Sequence, residues 1–171
     1  MKNLLLLFVL LALAIGATAQ ETVNFSDLPN ISSPSPVPDG YANLNWTGFF
    51  YVNPFEWIGA GPGFKNGPIG EDVAFAPYAC SSLGCYASLS SSTGFELLSA
   101  HAAAPYATGG PGGTPLVVTA YYKGEYVGTQ TYMMTTEEQQ LDFPSSWGIV
   151  SQAVFQGAAV MYDLSAYTLG H

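Results

Sequence analysis

Basic side chains are scarce in this sequence. Its 171 residues include no arginine and three lysines against 12 acidic residues, and the formal net charge is −9 at pH 7. Such an acidic chain is repelled by phosphates and lacks the usual arginine contacts, which argues against nucleic-acid binding. With 49% hydrophobic and 9% charged residues, the composition also argues against intrinsic disorder, which requires low hydrophobicity and high charge.

Histidines and catalytic motifs are equally scarce. The two histidines are His101, inside the apolar stretch 98–103, for which we expect a structural role, and His171, the last residue. No Gly-x-Ser-x-Gly, His-Glu-x-x-His or phosphate-loop motif occurs. Carboxylates that could form a glycosidase pair are Glu56, Glu71, Asp72, Glu96 and Asp142. On a strand, the adjacent Glu71 and Asp72 would point to opposite faces. We predict that the protein is not an enzyme.

The N-terminus has the three parts of a secretion signal. Lys2 supplies a positive charge, residues 4–15 form an apolar run, and residues 17–19 (Ala-Thr-Ala) fit the pattern that signal peptidase cleaves. The run is shorter than the roughly 20 residues of a transmembrane helix. We therefore predict a signal peptide at residues 1–19. A single secreted, extracellular domain without a membrane span is predicted at residues 20–171.

Two further features agree with an extracellular address. Cys80 and Cys85 lie close together in the sequence, and a disulfide between them is the default in an oxidising compartment. Three Asn-x-Ser/Thr sequons are candidate N-glycosylation sites, which matter only if the source organism glycosylates asparagine. They are Asn24, Asn30 and Asn45.

Short segments rich in β-formers alternate with turn signals through the body of the chain. This spacing predicts an all-β sandwich or barrel. The strongest signal is a hairpin, in which residues 116–122 and 126–134 flank a short connection containing Gly124. Outside the signal, residues 135–140 are the one segment whose sequence permits a helix. Further strands are predicted at residues 21–25, 44–53, 73–75, 86–90, 95–103, 137–143, 150–155 and 159–169.

A series of short motifs runs through most of the predicted secreted domain. They are Asn24-Phe-Ser-Asp-Leu-Pro, Val37-Pro-Asp-Gly-Tyr, residues 44–53, Gly63-Phe-Lys-Asn-Gly, Val73-Ala-Phe, Phe95-Glu-Leu-Leu-Ser-Ala-His, the hairpin 117–130, Val160-Met-Tyr-Asp and Tyr167-Thr-Leu. This series resembles small secreted jelly-roll proteins, many of them bacterial with a PEP-CTERM sorting tail, with relatives in fungi. The resemblance implies a galactose-binding-like fold, an antiparallel β-sandwich. Because the sequence has no Pro-Glu-Pro tail and ends at Gly170-His171, free secretion or a eukaryotic relative is expected.

The same resemblance implies a structural calcium ion. Galactose-binding-like sandwiches often hold one where the first and last strands meet, and hard cations prefer carboxylate and carbonyl oxygens. Asp163 stands where relatives carry an aspartate in the final strand, and Asp27 follows the first predicted strand. The alternatives are a turn or capping role for Asp27 and a polar edge position for Asp163. No cofactor is otherwise required.

Aromatic residues are the best candidates for a binding surface. Sugars stack their apolar faces on aromatic rings, and polar side chains take the hydroxyls. Alternation predicts core positions for Trp46 and Phe50 and for one of Tyr121 and Tyr122, so the exposed candidates lie in loops. The predicted glycan-binding residues are Trp57, Lys65, Asn66, Glu56 and, as a second exposed tryptophan, Trp147.

These features predict a secreted, non-catalytic binding module for a glycan or cell-wall polysaccharide. The first alternative is a structural protein of the extracellular matrix or cell surface that self-associates, since low charge and strand edges suit assembly. The lesser alternative is a secreted hydrolase.

Overall fold

A computed structural model describes residues 19–67, 72–75, 86–106 and 113–169. Cys80, Cys85, Glu71, His171 and residues 1–18 of the predicted signal peptide lie outside these ranges. Within the ranges, no helix has the length and apolar character needed to span a bilayer.

The described residues form eleven β-strands. They are β1 (Ala19–Val23), β2 (Ser35–Pro36), β3 (Asn45–Thr47), β4 (Phe50–Val52), β5 (Val73–Phe75), β6 (Tyr86–Ala103), β7 (Thr114–Tyr122), β8 (Glu125–Met134), β9 (Gln139–Asp142), β10 (Val150–Gln156) and β11 (Val160–Thr168). Short 3-10 helices lie at Tyr41–Asn43, Pro62–Lys65 and Ser145–Trp147.

The long strand β6 divides this network into two sheets. Its first part pairs with β3 and β10, and its second part pairs with β9 and β11. Between the two parts, its register against β10 jumps from Ser90 to Phe95. One sheet has the order β3-β6-β10-β7-β8, and the other has the order β2-β4-β5-β11-β6-β9, with β1 also paired to β11. Every pairing is antiparallel.

The inward faces of the two sheets share one hydrophobic core. Strand β7 buries Leu116, Val118 and Ala120, two residues apart, as expected for a strand with one face against the core. These side chains belong to the same cluster as Leu164 of β11 and Leu89 of β6. The expectation of an all-β antiparallel sandwich is therefore confirmed.

A second, smaller core lies beside the main one. It consists of Val52, Phe64, Val73, Phe75, Ala103, Val160 and Tyr162. Trp57 and Ala60 pack against it from residues 53–60, which we call the Trp57 loop. This small core is what holds that loop on the sandwich.

The β7–β8 hairpin is confirmed at its predicted place. Its two-residue turn consists of Lys123 and Gly124, with φ of 51° and 85°. Positive φ at both central residues is the type I′ turn, whose twist matches that of the flanking strands, and glycine adopts it at little cost. The register against β7 shifts once, between Ala120 and Tyr121.

Three predicted elements differ from the structure. Residues 86–90 and 95–103 are one continuous strand rather than two. Residues 44–53 are split into β3 and β4 around Gly48, whose φ of 74° interrupts extended backbone. Residues 135–140, where the sequence permits a helix, contain none, and the strand predicted at residues 137–143 is confirmed as the shorter β9, which begins at Gln139.

The predicted aromatic core is correct in part. Trp46 is buried in the main cluster, whereas Phe50 is partly exposed and packs against the smaller cluster through Phe75. Neither Tyr121 nor Tyr122 is buried, because both lie near the hairpin end, where the sandwich gives little cover.

Candidate functional site

Asn53 shapes the start of the Trp57 loop. Its side-chain oxygen Oδ1 accepts a hydrogen bond from the backbone N–H of Phe55 at 2.9 Å. Its backbone carbonyl accepts from the N–H groups of Glu56 and Trp57 at 3.3 and 3.1 Å. An asparagine that bonds two residues ahead is a common turn former, so the tight loop after β4 follows from the local sequence.

Trp57 is partly buried and serves mainly to hold the loop. Its ring stacks on Phe75 at 5.7 Å between centroids and meets the ring of Phe64 edge to face at 5.1 Å. A Cβ atom added at Gly59 would lie 2.7 Å from the indole, so backbone also covers this ring. The ring is therefore less open than the sequence suggests.

Phe55 is the aromatic residue of this loop that faces solvent. It is 44% exposed, and Ile58 is fully exposed. Phe55 was not predicted, because Phe55 and Trp57 lie two residues apart and the local sequence does not show which ring packs on the small core. An exposed ring of this kind is available for contact with a ligand.

Next to Phe55 lies a chain of hydrogen-bonded polar side chains. The amide of Asn53 donates to Oδ1 of Asn30 at 3.0 Å, and the amide of Asn30 donates to Oε1 of Glu56 at 3.3 Å. Asn53 is buried, whereas Asn30 and Glu56 are exposed. The chain therefore holds two surface polar groups in fixed positions at the loop.

A buried carboxylate lies at the base of this chain. The Val52–Val73 pair brings Asp72, which precedes β5, alongside Asn53. Asp72 is 5% exposed, and no described residue forms a hydrogen bond with its carboxylate. Loss of water around it and, second, the negative charge of Glu56 raise the pKa of Asp72 from 3.8 to about 6. Glu56 is thus close enough for its charge to affect the titration of Asp72.

Lys65 and Asn66 lie at the end of the 3-10 helix 62–65, and both are exposed. The contact between Phe64 and Trp57 places this helix beside the Trp57 loop. The amide of Asn66 already donates to the backbone carbonyl of Thr136 at 2.5 Å. The Asn66 amide is therefore already engaged, which leaves the Lys65 ammonium as the predicted binding group of this helix that is open to a ligand in solvent without that constraint.

The expectation of an exposed Trp147 is wrong. Trp147 is 8% exposed and stacks on Phe143 at 6.1 Å between centroids. A Cβ atom at Gly128 of β8 would overlap its indole nitrogen, so the ring lies against backbone. It belongs to the main core, whereas Trp57 packs on the smaller one. Trp147 is thus a core residue and no part of the surface at the Trp57 loop.

The two predicted calcium ligands have separate partners. The hydroxyl of Tyr41 donates to Oδ1 of Asp27 at 2.5 Å, beside a surface pocket of about 210 Å³ that Glu21 and Asn24 also line. Burial and the Asp27 carboxylate raise the pKa of Tyr41. In the described ranges, no group of three or more His, Cys, Asp or Glu side chains could hold a metal ion. The described arrangement therefore gives the calcium prediction no support.

Asp163 pairs instead with His101. Its carboxylate accepts from the backbone N–H of His101 at 3.1 Å and contacts ring atom Nδ1 at 2.8 Å. The hydrogen bond to Asp163 raises the pKa of His101, and burial opposes the rise. The imidazole is 40% exposed, so His101 lies at the sheet surface rather than in the core.

The three sequons differ in their surroundings. Oδ1 of Asn24 accepts from the backbone N–H of Ser26 at 3.3 Å and from its hydroxyl at 2.8 Å. Asn45 is exposed on β3. Asn30 has its amide bonded within the polar chain described above. Glycosylation at these positions stays a prediction.

Comparison with known proteins yields low similarity only. No family model and no curated protein matches the sequence. Among solved structures, the K2 cleaved adhesin domain of Lys-gingipain is similar with 15% identity, a TM-score of 0.47, and coverage of 88% of this chain and 100% of that chain. The family 32 carbohydrate-binding module of C. perfringens NanJ, solved with galactose, is 13% identical, with a TM-score of 0.38 and coverage of 78% and 99%. These identities and TM-scores are too low to transfer a function to this chain.

Proposed function

We infer that the protein is a secreted, non-catalytic module that binds a glycan at the Trp57 loop. The observation that carries this proposal is the exposed ring of Phe55 beside the fixed pair of Asn30 and Glu56. An apolar surface next to a few placed polar groups is the usual composition of a small-ligand site. In a sugar complex, the ring would cover an apolar sugar face.

The charges favour a neutral glycan. The amide and carboxylate oxygens of Asn30 and Glu56 are hydrogen-bond acceptors for sugar hydroxyls. Polyanionic glycans are repelled by the net charge of −9. Among the described residues, Lys65 is the one cation close to the loop, because it follows Phe64, whose ring contacts Trp57. We therefore expect binding to uncharged polysaccharides.

The test is retention of the purified protein on a panel of insoluble polysaccharides. Phe55→Ala removes the ring and Glu56→Ala removes the acceptor oxygens, and each is expected to weaken binding about tenfold, or about 1.4 kcal/mol. Tyr122→Ala is the matched control, because Tyr122 is 40% exposed and lies at the far hairpin. Trp57→Ala is less informative, because loss of its ring also disturbs the small core.

Two outcomes would contradict this proposal. One is absence of retention on any polysaccharide by folded protein. The other is retention that Phe55→Ala and Tyr122→Ala reduce equally, since this would make the contact nonspecific.

A secreted hydrolase is the second candidate, and the Asp72–Glu56 pair favours it. Glycosidases use a protonated carboxylic acid near an ionised carboxylate, and a raised pKa keeps the first one protonated. Release of soluble sugar that Asp72→Asn abolishes, with polysaccharide retention unchanged, would favour the hydrolase over the binding module.

A further inference from the structure

The described sheet edges are short, with one exception. Strands β1, β2, β3 and β9 each pair on one side only, and they have five, two, three and four residues. Strand β8 also pairs on one side only, with β7, and has ten residues. Short edge strands are one way in which proteins avoid unwanted pairing. Of the described edges, only β8 offers a long row of backbone groups without a strand partner. The side-chain amides of Gln139 and Gln130 reach the carbonyls of Met133 and Thr131 at 3.5 Å, which is the limit of a hydrogen bond.

The edge of β8 also lacks the other usual protections. Between Tyr126 and Thr136 there is no charged residue and no proline. One register shift occurs near Val127, and the pairing with β7 is regular from Gly128 to Met134. Lysine, proline and bulges are the features that normally block an edge strand. Seven consecutive residues of this edge have none of them.

The outer face next to this edge is uncharged as well. Cross-strand register defines three rows that run from β8 towards β3 or β6. They are Tyr126-Tyr121-Gln152-Ser90-Asn45, Thr129-Thr119-Val154-Ser88-Thr47 and Thr131-Val117-Gln156-Tyr86. None of these residues carries a charge. In a chain with 12 acidic residues, such a face can meet another acidic molecule without bringing carboxylates together.

We propose that β8 pairs antiparallel with β8 of a second copy of this chain, which joins two five-stranded sheets across a two-fold axis. A two-fold contact is self-complementary and is the commonest symmetry of soluble oligomers. Two copies repel each other through their net charge of −9, so the contact forms where carboxylates are missing.

The position of Glu125 sets the register of this contact. The uncharged part of β8, residues 126–134, is centred on Gln130. In a pairing centred there, each Glu125 lies opposite Thr135 of the other copy. The two Glu125 carboxylates are then ten residues apart along the strands, or about 34 Å. At that distance salt screens their repulsion.

The first test is the dimer dissociation constant from sedimentation equilibrium over a concentration series. Thr129→Lys with Thr131→Lys brings like charges opposite each other in this register, because the two residues pair across the axis. We expect dimerisation to weaken about tenfold. Thr47→Lys with Asn45→Lys is the matched control, because these exposed residues lie on the opposite edge of the same face. All variants are made in a host that does not glycosylate asparagine, since these two residues belong to one sequon. Higher salt is expected to strengthen the wild-type dimer.

The second test is hydrogen exchange of the backbone amides above and below the dimer dissociation constant. Within Gly128 to Met134, the alternate amides of β8 that point away from β7 are expected to gain protection on dimerisation, and those of β3 are not. A monomer at all concentrations would overturn the proposal. A dimer that the β3 lysines weaken and the β8 lysines leave intact would also overturn it, as would protection confined to β3.

Discussion

Removal of the negative charge at Asp72 is expected to stabilise the protein above pH 6. Asp72 is 5% exposed, has no hydrogen-bond donor among the described residues and lies near Glu56. Asp72→Asn keeps the shape and stays neutral at every pH. The substitution therefore removes the cost of a buried, ionised carboxylate without creating a cavity.

The size of the effect follows from the pKa. Since the pKa of Asp72 rises from 3.8 in the unfolded chain to about 6 in the fold, the folded state holds more protons between these values. Stability is then lost as the pH rises from 3.8 through 6. At pH 8 the full loss is up to about 3 kcal/mol. Asp72→Asn should recover this amount at pH 8 and leave stability near pH 3.5 unchanged.

Urea unfolding followed by tryptophan fluorescence at several pH values measures this difference. Trp57 packs on the same small core and reports on this region. Asp39→Asn, at an exposed aspartate, is the control and should change stability by less than about 0.5 kcal/mol. A failure of Asp72→Asn to raise stability at pH 8, or an equal effect at pH 3.5 and pH 8, would show that the buried carboxylate does not destabilise the fold.

Two further predictions concern other sites. Asp163→Asn should lower the pKa of His101, followed by NMR titration; Glu138 and Asp142 stay in place and raise it by a smaller amount. Pairing with Asp163 raises this pKa, so the stabilisation from the pair is present below about pH 6.5 and is lost as the pH rises through the folded pKa of His101. Asp163→Asn should therefore cost more stability at about pH 5, where aspartate is ionised and histidine is protonated, than at pH 9. Equal loss at both pH values would contradict this. Gly63→Ala should destabilise by about 3 kcal/mol, because a methyl group would overlap the carbonyl of Ala104. Gly124→Ala, with open space around it but φ of 85°, should cost about 1 kcal/mol; equal melting temperatures for these two variants would be the contrary result.

The hairpin and the sandwich were predictable because their signals are local. Alternation in β7, with Leu116, Val118 and Ala120 inward, follows from the two-residue period of a strand. The Lys123-Gly124 turn depends on the conformational freedom of glycine at one position. By contrast, residues 86–103 look like two strands, because the change of sheet partner along β6 depends on strands far away in the sequence.

The candidate site was predictable only in part. The Trp57 loop and Glu56 were found from composition, but the sequence alone assigned exposure to Trp57 and Trp147 and missed Phe55. Ring exposure depends on neighbours that are distant in sequence, such as Phe75 beneath Trp57 and Gly128 against Trp147.

The sequence by itself determined an acidic, all-β chain with a tight hairpin, because charge, alternation and turn chemistry are properties of neighbouring residues. Only the tertiary structure decided which carboxylate is buried and which edge is open. Asp72 lies near the loop that carries Glu56 because β4 pairs with β5. Strand β8 is an edge because no described strand follows it in the sheet order. Both depend on long-range strand pairing, which local periodicity does not encode.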